Sequence, residues 1–391
     1  MEDNSLFDET FNNIDRNKKN RELGKYNSIP FGIKGLDRHL PGIMRGIVYC
    51  ITAASGIGKT QLAKFLFVLQ AYKFVKDHPE LNIKLKIIYF ALEESREEFM
   101  INLICNRLKE KYGITISALQ IRSMGDHILS DEILGYIAEC KEYFDDMVKY
   151  LHIVDNIYNP TGMYRYCRDY ATANGVHYYR PLTKKDPLDN ELISHIELAK
   201  LSAKQKEEYC YYKYTPNDPE EFILVSSDHI SLTEPESGSP TKHEAMSKWS
   251  TDYARKILAK RFNYCVVQIH QQEMSGDKQQ FSFSGDSIVN KLLPALDKLG
   301  DNKIIGRDYY IVLGLFAPER YQIPEYLGYD INKLKDAFRS IHILKNRLGT
   351  PNLVLPVYFN GANNTFVELP KPDSEEIKRI YTALESSRRS N

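Results

Sequence analysis

Gly46-Ile-Val-Tyr-Cys-Ile-Thr-Ala-Ala-Ser-Gly-Ile-Gly-Lys-Thr60 carries an apolar strand into a glycine-bearing turn that ends in Lys-Thr and opens a helix. A polyphosphate is held by several backbone N–H groups pointing inward, and only a turn of small residues lets the main chain wrap it closely. Ser55, Gly56, Ile57 and Gly58 are the expected cradle, and Lys59 is placed to reach the β- and γ-phosphates. The Thr60 hydroxyl takes a position on Mg²⁺, and the helix from Gln61 offers its positive N-terminus. ATP with Mg²⁺ is the implied ligand. The pattern G-x-x-x-x-G-K-[ST] finds Ala53 at its first position, one glycine short. The strand pattern of Ile47 to Ile51 before it and the helical pattern of Gln61 to Val75 after it supply the context the motif needs.

Working outward, apolar strand candidates recur at 47 to 52, 85 to 92, 150 to 154, 222 to 227, 264 to 269, 309 to 315 and 340 to 346. Amphipathic helices lie between several of them. Ser95 to Tyr112 places Phe99, Leu103, Cys105 and Leu108 near one face, and Glu244 to Phe262 does the same with Met246, Trp249, Tyr253, Ile257 and Leu258. Strands alternating with helices predict an α/β fold with a wound, mostly parallel sheet. Ser340 to Leu369 changes character: three extended runs, broken by turn residues at 348 to 352 and 360 to 364, predict a C-terminal antiparallel β-meander.

This divides the chain into an N-terminal arm or linker helix (1–26), an ATPase domain (27–370) and a short C-terminal helix with its tail (371–391). The arm is polar, with a thin stripe of Phe7, Phe11 and Ile14 that reads either as a tail or as a helix docking on a neighbouring subunit. At the other end, Pro372-Asp373 opens a helix with Glu376 placed for a capping box and Ile377, Ile380, Tyr381 and Leu384 on one face. An insertion at about 177–219 is rich in Tyr and Lys, as either a stacking surface for single-stranded nucleic acid or a surface excursion with its own aromatic cluster.

Lys+Arg and Asp+Glu both number 52, so no global positive field draws nucleic acid and any such contact is local. The six cysteines are scattered, without zinc spacing, as in a reducing cytoplasm. No apolar run approaches the roughly 20 residues that span a bilayer, so the expectation is a cytoplasmic protein without a membrane partner.

Hydrolysis also needs a metal carboxylate, a base for the attacking water and a sensor of the γ-phosphate, and each has a candidate at a strand end. Phe222 to Asp228 ends in an acid suited to hold Mg²⁺. Ile87 to Glu94 ends in paired carboxylates, either of which can polarise a water for in-line attack. Cys265 to Gln271 ends in a polar group able to report loss of the γ-phosphate. The loop after it, 272 to 306, carries Lys278, Lys291, Lys298 and Lys303 among Gly, Ser and Asp, a composition suited to gripping a phosphate backbone.

In order, these segments resemble the C-terminal RecA-like motor domain of DnaB-like replicative helicases, ring ATPases of superfamily 4, and the compact form resembles bacteriophage motors. The match begins at Ile29-Pro-Phe-Gly-Ile-Lys-Gly-Leu-Asp37, passes through the loop ending at Thr60, and reaches Phe90-Ala-Leu-Glu93, similar to the family's Phe-Ser-Leu-Glu. Asp228-His-Ile-Ser-Leu232 stands where the family carries Asp-Tyr-Leu-Gln-Leu, and Gln271 falls on its sensor glutamine. Ile343-Leu-Lys345-Asn-Arg347-Leu-Gly349 looks like its Lys-x-Arg-x-Gly hairpin. The resemblance selects Glu93 over Glu94 as the base. It also implies that Lys345 and Arg347 act in trans on a neighbour's ATP, Arg347 as the arginine finger. It further implies a homo-oligomeric, hexameric ring on single-stranded DNA, 5′ to 3′ movement, and a primase or loader as partner. The usual helical domain before the motor is missing, the 272 to 306 loop has Ala295-Leu-Asp297-Lys298 in place of the family's Ser-Asp-Leu-Arg, and the insertion has no counterpart. The rival readings are a RecA- or KaiC-type ATPase that binds DNA or protein without unwinding, and a nucleotide-gated scaffold.

Overall fold

The computed structural model describes residues 6–24, 27–183, 191–273 and 289–389. In chain order its strands are β1 (Val48–Ala53), β2 (Lys84–Ala91), β3 (Leu151–Val154), β4 (Gly175–Pro181), β5 (Ile193–Ser194), β6 (Tyr209–Pro216) and β7 (Glu221–Asp228). These are followed by β8 (Cys265–Gln271), β9 (Ile311–Phe316), β10 (Glu325–Tyr326), β11 (Tyr329–Asp330), β12 (Phe338–Asn346), β13 (Val354–Asn360) and β14 (Thr365–Glu368). The main sheet has nine strands in the order β14-β13-β12-β9-β1-β8-β7-β2-β3. From β9 to β3 neighbours run parallel, whereas β12, β13 and β14 continue the sheet antiparallel from β9. The wound α/β fold and its antiparallel C-terminal meander are therefore as the sequence predicts.

Parallel strands must be covered on both faces, and the period-two pattern shows how this chain does it. Tyr49, Ile51, Ile87, Tyr89, Leu224, Ile269 and Leu313 pack on one side with Leu62, Leu66 and Phe67. Those three come from the helix after the phosphate loop, which runs as Lys59–Lys64, a π-turn at Phe65–Leu69, and Gln70–Asp77. Val48, Cys50, Ile88, Phe90, Val225, Val266 and Val312 face the other way, onto Met163, Cys167, Trp249 and Leu258. The alternating strand residues thus divide between two cores, and the sheet is the wall between them.

A second, three-stranded antiparallel sheet, β5-β4-β6, occupies the insertion. His177 and Tyr214 lie 5.1 and 5.4 Å from the Phe262 ring, so this sheet is anchored on the motor by aromatic packing. Tyr212 and Lys213 stay exposed, with the ammonium 5.8 Å from the ring centroid.

Helix Leu6–Glu22 forms the N-terminal arm and leaves Phe7, Phe11 and Ile14 exposed. Helix Glu375–Arg389 packs Ile377, Ile380, Tyr381 and Leu384 against Tyr329, Leu334 and Phe338. Its cap differs from the expected Asp373/Glu376 box, because the Ile377 amide donates to the Ser374 hydroxyl at 3.3 Å and the helix starts one residue later. Among the described residues no helix is long and apolar enough to cross a membrane.

Candidate nucleotide site

The phosphate loop leaves the carboxyl end of β1, a central strand, in the crevice where wound α/β sheets place their ligands. Ala53 is its last extended residue, paired with Gln271 of β8 and fully buried. That position asks for no unusual backbone, which explains why the first glycine of the pattern is dispensable here. Gly56 and Gly58 do need their freedom, at φ 75° and 105°. A Cβ on Gly58 would also stand 3.2 Å from the Phe359 ring. Lys59 is buried at the first turn of the helix.

Beside the loop, Thr60 donates to Asp228 Oδ1 at 3.1 Å, and Tyr89 donates to Asp228 Oδ2 at 2.9 Å. Asp228 is buried at the end of β7, and burial raises its carboxyl pKa, opposed chiefly by the charge of Lys64. Glu93 and Glu94 both line the mouth of the site, but they differ in surroundings. The Glu93 side chain is 55 % exposed and its Oε2 stands 3.8 Å from His229 Nε2. Glu94 is drawn inward, 2.5 Å from the buried Lys64 ammonium, and burial raises its pKa. His229 is itself buried; desolvation first, then the charge of Lys59, lowers its pKa.

Ser55, Gly56, Gly58, Lys59, Thr60, Gln61, Glu93, Glu94 and Asp228 line one open cleft of about 500 Å³, together with Glu98, Asn102 and Arg122. Ile57 is buried and directs its carbonyl to Arg339. The donor set suits Mg²⁺-ATP: a buried hydroxyl–carboxylate pair for a hard cation, a left-handed glycine cradle and a buried ammonium. Thr60 and Asp228 are the residues that would hold the metal.

Two arginines outside the motif support the loop. Arg339, 2 % exposed, donates from Nε to the Ile57 carbonyl at 2.8 Å, pairs with Asp336 and stacks over Phe359. Arg320 donates to the Ser55 carbonyl. Neither carried a sequence signal, since each lies some 260 or more residues from its partner.

Gln271 closes the same end of the sheet, next to Ala53. Lys345 and Arg347 are elsewhere. In register, Lys345 of β12 stands beside Val312 of β9, while the residue of β12 level with the loop end is Ile341, beside Leu315. Past a bulge between Ile343 and Lys345, the Arg347 amide donates to the Tyr310 carbonyl, five residues down β9 from Leu315 and so about 17 Å from the level of the loop at roughly 3.3 Å per residue. There Lys345 Nζ donates to the Gly306 carbonyl and Arg347 Nη2 to that of Arg307, each at 2.8 Å. The Arg347 guanidinium also lies over Tyr310, 5.2 Å from the ring.

Of the loop lysines, Lys291 is exposed, Lys298 is turned inward onto the carbonyls of Lys291 and Leu293, and Lys303 pairs with Glu273 at 3.1 Å. Lys278 lies outside the described residues.

A central strand feeding a phosphate loop, with acids at the ends of β7 and β2, defines a RecA-like P-loop ATPase fold. Within that class, the fold is the one found in motor domains of DnaB-like replicative helicases. The ATPase domain of a phage helicase superposes with a TM-score of 0.63 at 17 % identity, over 94 % of this chain and all of that one. A DnaB-like replicative helicase whose structure addresses its interactions with primase gives 0.59 at 17 %, over 88 % of this chain and 64 % of the other. No family model and no curated protein matches the sequence.

Proposed function

We propose that this chain is the ATP-hydrolysing motor of a ring-forming helicase that moves along single-stranded DNA in replication, with ATP cleaved where two subunits meet. One observation carries the reading. The phosphate loop and the Lys345/Arg347 hairpin stand at opposite ends of the same sheet, which supports a site completed by a neighbouring subunit. In a head-to-tail ring each hairpin reaches the next subunit's loop instead.

Lys59 and the loop amides hold the β- and γ-phosphates, and Thr60 with Asp228 holds Mg²⁺. The metal ion, when bound, neutralises charge on the phosphate oxygens. Glu93, the more exposed of the paired carboxylates, accepts a proton from the attacking water. Arg347 of the adjacent subunit faces the charge that develops on the transferred phosphoryl, so turnover depends on assembly. Gln271, beside the loop, senses the γ-phosphate and passes its loss to the 272–306 loop. The arm helix docks on the neighbour, burying Phe7, Phe11 and Ile14 against a surface such as that of exposed Leu119, Ile128 and Leu134. A primase or loader is the further partner this reading implies.

The inward turn of Lys298 and the Lys303–Glu273 pair favour a second reading, an ATPase of RecA or KaiC type that does not unwind. ATP hydrolysis measured with and without single-stranded DNA, at fixed moderate salt, separates the two. Strong stimulation is expected. Robust turnover indifferent to DNA would favour the second.

A further inference from the structure

Four residues after Thr60, on the same face of the phosphate-loop helix, stands Lys64. Its side chain is 2 % exposed, yet it carries a charge into the apolar core. Nζ lies 2.5 Å from Glu94 Oε1, donates to Oε2 at 2.7 Å, and sits 4.2 Å over the Phe99 ring. Such a pair is costly to desolvate, and an apolar pair of the same volume is often as stable or more so. Its stability alone gives no reason for it to be there. Its geometry does.

Thr60 grips the end of β7 through Asp228, and one turn later Lys64 grips the turn after β2 through Glu94. That turn is otherwise held at its two edges. The Leu92 amide donates to the Asp228 carbonyl at 2.7 Å, and Ser95 caps the helix Arg96–Tyr112 in a reciprocal box with Glu98. Between the edges lie only Glu93 and Glu94. With Glu94 fixed, the Glu93 backbone is fixed relative to the helix that carries Lys59 and Thr60, and its own carboxylate faces the cleft beside His229.

We propose that Lys64 and Glu94 are positioning residues for hydrolysis: a buried ionic strap that holds the base-bearing turn at a set distance from the phosphate loop. The inference rests on Glu93 being the base. A misplacement of about 1 Å can cost on the order of 100-fold in rate, so the strap acts on turnover and not on nucleotide affinity.

Three variants test it, each assayed in the full chain for kcat and for affinity toward a fluorescent ATP analogue. Glu94→Gln is expected to lower kcat on the order of 10- to 100-fold, with affinity within about twofold of the parent. The double variant Lys64→Met, Glu94→Met replaces the pair by apolar packing; assayed at saturating Mg²⁺, so that loss of the Lys64 charge beside Asp228 does not limit it, it is expected to melt at or above the parent temperature while kcat stays low. A merely structural pair would recover turnover along with stability, and that result overturns the strap. Glu93→Gln controls the premise. If it retains turnover, the base assignment fails; if it is inactive while the other two turn over like the parent, the strap alone fails. Should the parent show no turnover, hydrogen exchange over residues 90–98 with a non-hydrolysable ATP analogue reads the same contact. Faster exchange in the double variant supports the strap, and equal protection refutes it.

Discussion

Strand β12 carries one arginine at its start and is followed directly by another past its end, and the two stand in opposite conditions. Arg339 is buried, its guanidinium donating to the carbonyls of Ile57, Asp336 and Phe338 and pairing with the Asp336 carboxylate. Arg347 is exposed and donates to the Arg307 carbonyl, without a carboxylate at ion-pair distance among the described residues. A residue with a completed set of partners has a structural task within its own chain. One held only by a carbonyl and an aromatic face can exchange both for a phosphate at modest cost. The phosphate end of the molecule is thus preassembled, whereas the guanidinium at the hairpin end stays exposed on carbonyl and ring contacts alone.

That contrast can be broken in several ways. Lys59→Ala removes the buried ammonium of the preassembled end, and ATP hydrolysis is expected to fall to background; near-parental turnover would take the phosphate loop out of the account. Arg347→Ala should retain nucleotide binding and lose roughly 10³-fold in turnover. Mixing it with Glu93→Ala subunits should restore some activity at mixed interfaces, and no rescue at any ratio would sink the trans assignment. Deleting residues 1–26 should shift the particle mass from oligomer toward monomer in light scattering, and an unchanged mass would leave the arm without a docking role.

The smallest expected effect concerns pH. Burial holds His177, His270 and His342 down at about 4. An imidazole with a depressed pKa binds fewer protons folded than unfolded, so its contribution is intact above the unfolded value near 6.5 and is lost as pH falls from there toward 4. The melting temperature should drop by a few degrees between pH 7 and pH 5, and His342→Phe should flatten part of that slope. A melting temperature that rises over this interval would contradict the burial of these rings.

Most of the sheet was legible in the sequence because parallel strands buried on both faces are continuous apolar runs, as in Ile87 to Phe90 and Leu224 to Val225. The phosphate loop was legible because its chemistry is local, confined to Ser55 through Thr60. What escaped is what the fold brings together from afar. Tyr89 reads as one more strand aromatic until the sheet sets its hydroxyl on Asp228. Lys64 reads as a polar residue on an amphipathic helix, and its burial depends on Glu94 thirty residues on. Arg339 has no local pattern at all. The paired acids at 93 and 94 were recognisable as a pair, but which one is drawn inward depends on the cation behind it.

Strand β12 holds its own chain's phosphate loop through Arg339 and ends at Asn346, just before Arg347, which lies about 23 Å along at roughly 3.3 Å per residue once the bulge is allowed for. If that far end meets the next subunit's nucleotide, a single hydrogen-bonded strand works as a connecting rod between consecutive combustion chambers. A shift of Ile57 on phosphate release would be felt next door as a displacement of the finger, and the firing order of a ring would then be written into the stiffness of one strand.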